Sequence, residues 1–171
     1  MIESSNMCNE ENHFIGLPCK NWQKITDAIF THSNCTSSKY MSYTTVFVNR
    51  NYNRFKEWVL KYINSKNRRK IILIANSIIN KDISWADQFF PVYNNLIDNW
   101  ETDGTELINK LSIVAKQNKL IFFVSAGPAA NIIISKLTKI NIQNIYIDFG
   151  SAIEFITKVM EHAVIIKEVK R

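Results

Sequence analysis

Leu120-Ile121-Phe122-Phe123-Val124-Ser125-Ala126-Gly127-Pro128-Ala129-Ala130-Asn131 is the stretch whose reading decides the fold. Five consecutive apolar residues, with no polar alternation, describe a strand buried on both faces, the habit of a parallel sheet. The run stops at Ser125, and Gly127 allows a tight bend. Pro128 suits the first position of a helix, where a missing N–H costs nothing. A buried strand turning at once into a helix is half of a βαβ unit.

The same grammar extends in both directions. Lys70 to Ala75 is an apolar strand closing at Asn76-Ser77, and Thr44 to Val48 is a β-branched strand closing at Asn49. Asn144 to Ile147 reads as a last core strand, followed by Asp148-Phe149-Gly150-Ser151. Gln88 to Val92 is a shorter candidate that Pro91 confines to a sheet edge. Between these runs the pattern is helical. Asn51 to Asn64 places Tyr52, Phe55, Trp58, Val59 and Tyr62 on one face, and residues 22, 25, 29 and 30 form an earlier amphipathic stripe. Asp103 and Glu106 have capping-box spacing ahead of a helix through Gln117, as do Ser151 and Glu154 ahead of one through about His162. The helix after Pro128 runs to about Lys139, and Ala163 to Ile166 is an edge strand or a helical continuation. The expectation is an α/β fold: a doubly wound, mostly parallel sheet with helices on both faces, Rossmann-like. It forms one domain over residues 1–171, with 1–40 an irregular or helical entry segment.

Composition fits this. The chain has 171 residues, 46% hydrophobic and 21% charged, enough for one core without a disulfide or metal staple. No apolar run is long enough for a membrane span, and the polar start MIESSNMCNEEN is not a secretory signal. The expected setting is soluble and cytoplasmic. Net charge is +6, from 21 Lys and Arg against 15 Asp and Glu, with the densest run at Lys66-Asn67-Arg68-Arg69-Lys70. The chain is rich in Ile, Asn and Lys together, a coding bias that raises Lys without a functional cause, so the charge alone does not specify a polyanion partner.

Ligands of open parallel sheets bind beyond the carboxyl ends of the strands. With only four Gly and three Pro in the chain, Gly127, Pro128 and Gly150 falling on such ends carries weight. At Ser125 to Ala130 the small side chains, with the amides of Ala129 and Ala130 free at a helix start, suit a phosphate; a packing turn needs the same residues. Asp148 is placed to meet ribose hydroxyls, hold a divalent cation or act as a base, and equally to cap its own turn. It is the first catalytic candidate and Glu154 the second, although Glu154 also reads as a capping carboxylate. Asn49, Asn51 and Asn76 would line the pocket.

Other chemistry is weaker. Cys8, His13, Cys19, His32 and Cys35 lack a C-x-x-C knuckle, and only His32 and Cys35 have the spacing of paired zinc ligands, so free thiols are the default. No G-x-S-x-G, G-x-G-x-x-G or G-x-x-x-x-G-K-[ST] occurs, and His162 has no evident partner. Tyr40, Tyr43, Arg50 and Arg54 read as solvated charges around a helix start more readily than as a nucleic-acid surface.

Three segments together resemble the GT-D-fold glycosyltransferase-like domains of glycan and surface-polysaccharide assembly. They are Tyr43-Thr44-Thr45-Val46-Phe47-Val48-Asn49-Arg50-Asn51-Tyr52, Ser125-Ala126-Gly127-Pro128-Ala129-Ala130 with Ile132-Ile133-Ile134, and Tyr146-Ile147-Asp148-Phe149-Gly150-Ser151-Ala152. Order and spacing fit over residues 40 to 160. The resemblance implies transfer of a sugar from a nucleotide-sugar donor to a glycan or lipid-linked acceptor. It implies nucleotide and phosphate contacts at Ser125, Gly127, Pro128, Ala129, Ala130, Gly150 and Ser151, and a divalent metal, Mn or Mg, with Asp148 the candidate ligand. Two departures stand out. The family's N-terminal D-x-E metal motif has no counterpart here, the nearest acidic pair being Glu10-Glu11, and Ser151 stands where related members carry His. The chain is then an active enzyme completed by a second polypeptide, or a degenerate domain that binds or scaffolds without catalysis. A basic nucleic-acid-associated protein is the further alternative.

Overall fold

The computed structural model describes residues 15–17, 41–43, 52–79, 83–150, 152–154 and 156–157. The chain divides into two compact units, Met1–Tyr52 and Asn53–Arg171. In the first, β1 (Ile15–Leu17) pairs in parallel with β2 (Met41–Tyr43). The helix expected over 21–30, the strand Thr44 to Val48, the cysteine and histidine cluster, and Ala163 to Ile166 lie outside the described residues.

The second unit is an α/β layer structure. It contains β3 (Lys70–Asn76), β4 (Gln88–Val92), β5 (Leu120–Ser125) and β6 (Ile145–Asp148), all parallel, in the order β4-β3-β5-β6. Ile71 to Ala75 and Leu120 to Val124 are all buried, which is why both runs lack polar alternation. β4 is at an edge, so Pro91, with no N–H to give, sits where a ladder tolerates it.

Helices cover both faces. On one, α2 (Thr105–Ala115) and α3 (Ala129–Ile140) bring Leu107, Leu111, Ile133 and Leu137 against Ile72, Ile74, Phe122 and Val124. On the other, Phe149 bridges Phe123 and Phe55 of α1 (Tyr52–Ile63), with ring centroids 4.5 and 5.8 Å apart, and Trp85 meets Phe123 at 6.2 Å. Phe55 and Val59 are the buried residues of the α1 stripe; Trp58 lies outside them, stacked on Phe55 and Tyr62.

Two local expectations need correction. The Asp103 and Glu106 capping box does not form. The chain enters α2 through a π-helical turn, Trp100–Gly104, and Gly104 stands at the N-cap with no side-chain cap bond. Asp103 instead accepts from the Thr102 hydroxyl, and Glu106 pairs with Lys110 one turn on. Asn144, read as the first residue of the last strand, precedes it and is a buried staple. Its Oδ1 accepts from the Leu120 N–H, and its Nδ2 donates to the carbonyls of Ala115 and Gln117. It thus ties the end of α2 to the start of β5.

The basic run before β3 has a structural use. Arg68 pairs with Asp87 and donates to the Ile63 carbonyl, while Arg69 donates to the Gln143 carbonyl at 2.9 Å. Both arginines lock the amino-terminal edge of the sheet.

Candidate functional site

The strand order locates a crevice before any side chain is considered. From β3 the chain moves outward to β4 on the Trp85 face; from β4 it returns over β3 to β5 on the α2 face, and α3 then leads to β6 on that same face. Right-handed crossovers demand this change of face when the direction of travel reverses. The connections after β3 and β5 therefore diverge, and a gap opens between the two carboxyl ends. That is the topological switch point at which α/β sheets bind ligands.

A cavity of about 120 Å³ lies there, lined by Asn76, Val92, Tyr93, Asn94, Leu96, Ile97, Ser125, Ala126, Gly127 and Pro128. Three strand ends contribute: β3 through Asn76, β4 through Val92 to Asn94, and β5 through Ser125 and the bend that follows. Gly127 has φ +54, and a Cβ built on it meets nothing within 4 Å, so the bend is open. Its left-handed backbone is the reason glycine stands here.

The anion-binding detail drawn from the sequence changes. Ala129 and Ala130 are fully buried, and their N–H groups, expected to be free, donate to the carbonyls of Ala126 and Gly127 at 3.2 and 3.0 Å. A helix start closed by such tight turn bonds consumes its first donors. The N–H left without an acceptor among the described residues is that of Gly127. Pro128 falls one residue ahead of α3, as its N-cap.

Asp148 and Gly150 join the same rim on the far side of β5. Val124 is in register with Asp148, and the Val124 carbonyl accepts from the Phe149 N–H at 2.8 Å. The Ser125 hydroxyl donates to the Gly150 carbonyl at 2.7 Å. Asp148 caps its own turn, its Oδ1 accepting from the Gly150 N–H at 2.9 Å, and Gly150, with no Cβ, adopts the φ of +48 in that turn. Although Asp148 is exposed at the end of β6, neighbouring chain partly desolvates its carboxyl and raises its pKa, against the lowering effect of the Gly150 N–H. Neither Asp148 nor Gly150 lines the cavity. Glu154 is exposed in the helical residues after the turn. Asn49, Asn51 and Ser151 lie outside the described residues.

Among the described residues no three His, Cys, Asp or Glu side chains gather to hold a metal. Asp148 is the only carboxylate at the carboxyl ends of the four strands β3 to β6. Magnesium commonly takes one or two carboxylates and completes its shell with substrate phosphate; Asp148 is the rim residue that would be able to supply one such ligand.

The wall made by Tyr93, Asn94, Leu96 and Ile97 was not anticipated. Its only trace in the sequence is the Tyr-Asn-Asn that ends the Gln88 to Val92 run, the same polar closure seen after the other strands.

Fold and site together define a parallel α/β domain with a small cavity at its switch point. Compared with protein-family models, curated proteins and solved structures, the chain matches none of them. No helix among the described residues is long and apolar enough to cross a membrane.

Proposed function

We propose that this rim binds the diphosphate of a nucleotide-sugar donor, in a GT-D-like cytoplasmic glycosyltransferase domain serving glycan assembly. The observation carrying the reading is that the open Gly127 bend, its N–H without an acceptor among the described residues and the start of α3 behind it, lines the switch-point cavity. Glycosyl transfer builds negative charge on the departing diphosphate. An oriented main-chain donor at the positive end of a twelve-residue helix opposes that charge without reorganising. Asp148, across β5, is placed to serve the donor or a cation arriving with its phosphates. The acceptor would be a glycan or lipid-linked sugar, and a second polypeptide would supply the acidic motif this chain lacks.

Titration calorimetry of the full chain with UDP, GDP, ADP and CDP, with and without manganese, tests this. Binding of at least one, lost in Gly127→Val while circular dichroism stays native, is expected. No heat of binding with any of the four would overturn the proposal.

A further inference from the structure

The cavity is more than a phosphate rest. Its floor is apolar, from Val92 and Leu96, which are buried, and no charged side chain lines it. Away from the Gly127 bend an anion would find no counter-charge on this wall, and a bare cation would find no carboxylate. Tyr93 stands 62% exposed at its edge with Ile97 nearby in the chain, 37% exposed. An exposed aromatic beside an aliphatic side chain, over an apolar floor, is suited to a flat uncharged ring.

The polar groups narrow the choice. Asn76 accepts the Ile78 N–H on its Oδ1 at 3.0 Å and donates its amide to Asn94 Oδ1. This bond occupies the Asn94 oxygen and leaves the Asn94 NH2 group with no acceptor among the described residues. The wall thus offers a side-chain donor to a ring edge bearing a carbonyl oxygen or an unprotonated nitrogen. β4 and β5 are separated by β3, two strand spacings of about 4.8 Å each, so the strand ends from which Tyr93 and the Gly127 bend lead off lie about 10 Å apart. That matches the reach of a nucleotide from its base to its phosphates.

We infer that the Tyr93, Asn94 and Ile97 wall is a nucleobase subsite, stacking the base on Tyr93 and reading its acceptor edge through Asn94. The inference rests on the nucleotide-sugar reading above and assigns the base, not the sugar, to the cavity.

The test compares wild type, Tyr93→Ala and Tyr93→Phe by calorimetry against a nucleoside diphosphate, inorganic pyrophosphate and a panel of methyl glycosides. Tyr93 is largely exposed, so its truncation removes no core. The nucleoside diphosphate should bind wild type more tightly than pyrophosphate does. Tyr93→Ala should weaken it roughly tenfold or more, Tyr93→Phe by less than about twofold, and pyrophosphate should be indifferent to both. Equal affinity for pyrophosphate and the nucleotide, or a nucleotide affinity unmoved by Tyr93→Ala, overturns the subsite and leaves the phosphate reading standing. Tyr93-dependent binding of a methyl glycoside assigns the cavity to the sugar and also overturns it. Failure of both nucleotide and pyrophosphate to bind removes the subsite and the parent reading together.

Discussion

The Ser125 hydroxyl donates to the Gly150 carbonyl at 2.7 Å, across the ends of two neighbouring strands. Through it the bend carrying Gly127 and the turn carrying Asp148 are positioned together, although they belong to separate βα connections. The bond is solvent-exposed, so Ser125→Ala should cost only about 1 kcal/mol of stability in urea denaturation. Nucleotide affinity should fall as well, because Gly127 loses a fixed reference. A destabilisation above about 3 kcal/mol would show that Ser125 is a core element and not a rim strut.

Asn144 is the larger stake. It is 6% exposed and satisfies the Leu120 N–H and the Ala115 carbonyl, which would otherwise be buried bare, and it shares the Gln117 carbonyl with Asn141. Asn144→Ala should therefore lower stability by about 2–4 kcal/mol, several unsatisfied groups costing more than one lost bond. Asn144→Asp should be no rescue, since a carboxylate would face the Ala115 and Gln117 carbonyls. Urea midpoints of the two variants check this, and a near-neutral Asn144→Ala would refute the staple.

What the sequence disclosed was local and what it concealed was long-range. The runs at Lys70 and Leu120 announced buried parallel strands because burial on both faces abolishes alternation, and Gly127 announced its bend because glycine adopts a left-handed backbone at least cost. Strand order is different. Nothing in the run Gln88 to Val92 says that it pairs with β3 and not with β5, so the crevice could be placed only at strand ends in general. The Tyr93 wall went unread for that reason. Asn144 looked like strand because its partners are 24 to 29 residues away. The capping box failed because a glycine packed on a tryptophan set the entry to α2, and side-chain spacing alone does not encode that packing.

That glycine makes its own prediction. A Cβ on Gly104 would lie 2.4 Å from the Trp100 ring, while its φ of −66 is ordinary helix. Helix propensity favours alanine by about 1 kcal/mol, and overpacking against a ring costs about 1–3 kcal/mol. Gly104→Ala should thus be neutral to destabilising in the native background. In a Trp100→Leu background, with the clash relieved, the same change should stabilise. The sign reversal in a double-mutant cycle is the measurement.

Gly127 presents the opposite case, open space but a left-handed backbone. Gly127→Ala should cost about 1–2 kcal/mol from conformation alone, with Gly127→Asn milder. Thermal denaturation separates the two causes: a cost that grows with side-chain volume would mean the bend is crowded, contrary to its open surroundings.

A carboxyl with a lowered pKa lies at the other end of the sheet. Burial alone would raise the Asp87 carboxyl, but the Arg68 guanidinium, the Ile71 N–H bonded at 2.7 Å and the Lys70 charge together outweigh it and hold the pKa below the ordinary 3.8. A carboxyl with a depressed folded pKa adds stability that is present above the unfolded value and lost as pH falls through the folded one. Because the pair is partly solvated, the contribution is about 1 kcal/mol. Asp87→Asn should therefore be less stable than wild type near about pH 6, and the gap should narrow as pH drops below 3.8, where the wild-type carboxyl takes up its proton. Urea midpoints across that range, compared with Glu106→Gln as an exposed control, decide it; a gap constant with pH would mean that the Arg68 and Asp87 pair carries no charge-dependent stability.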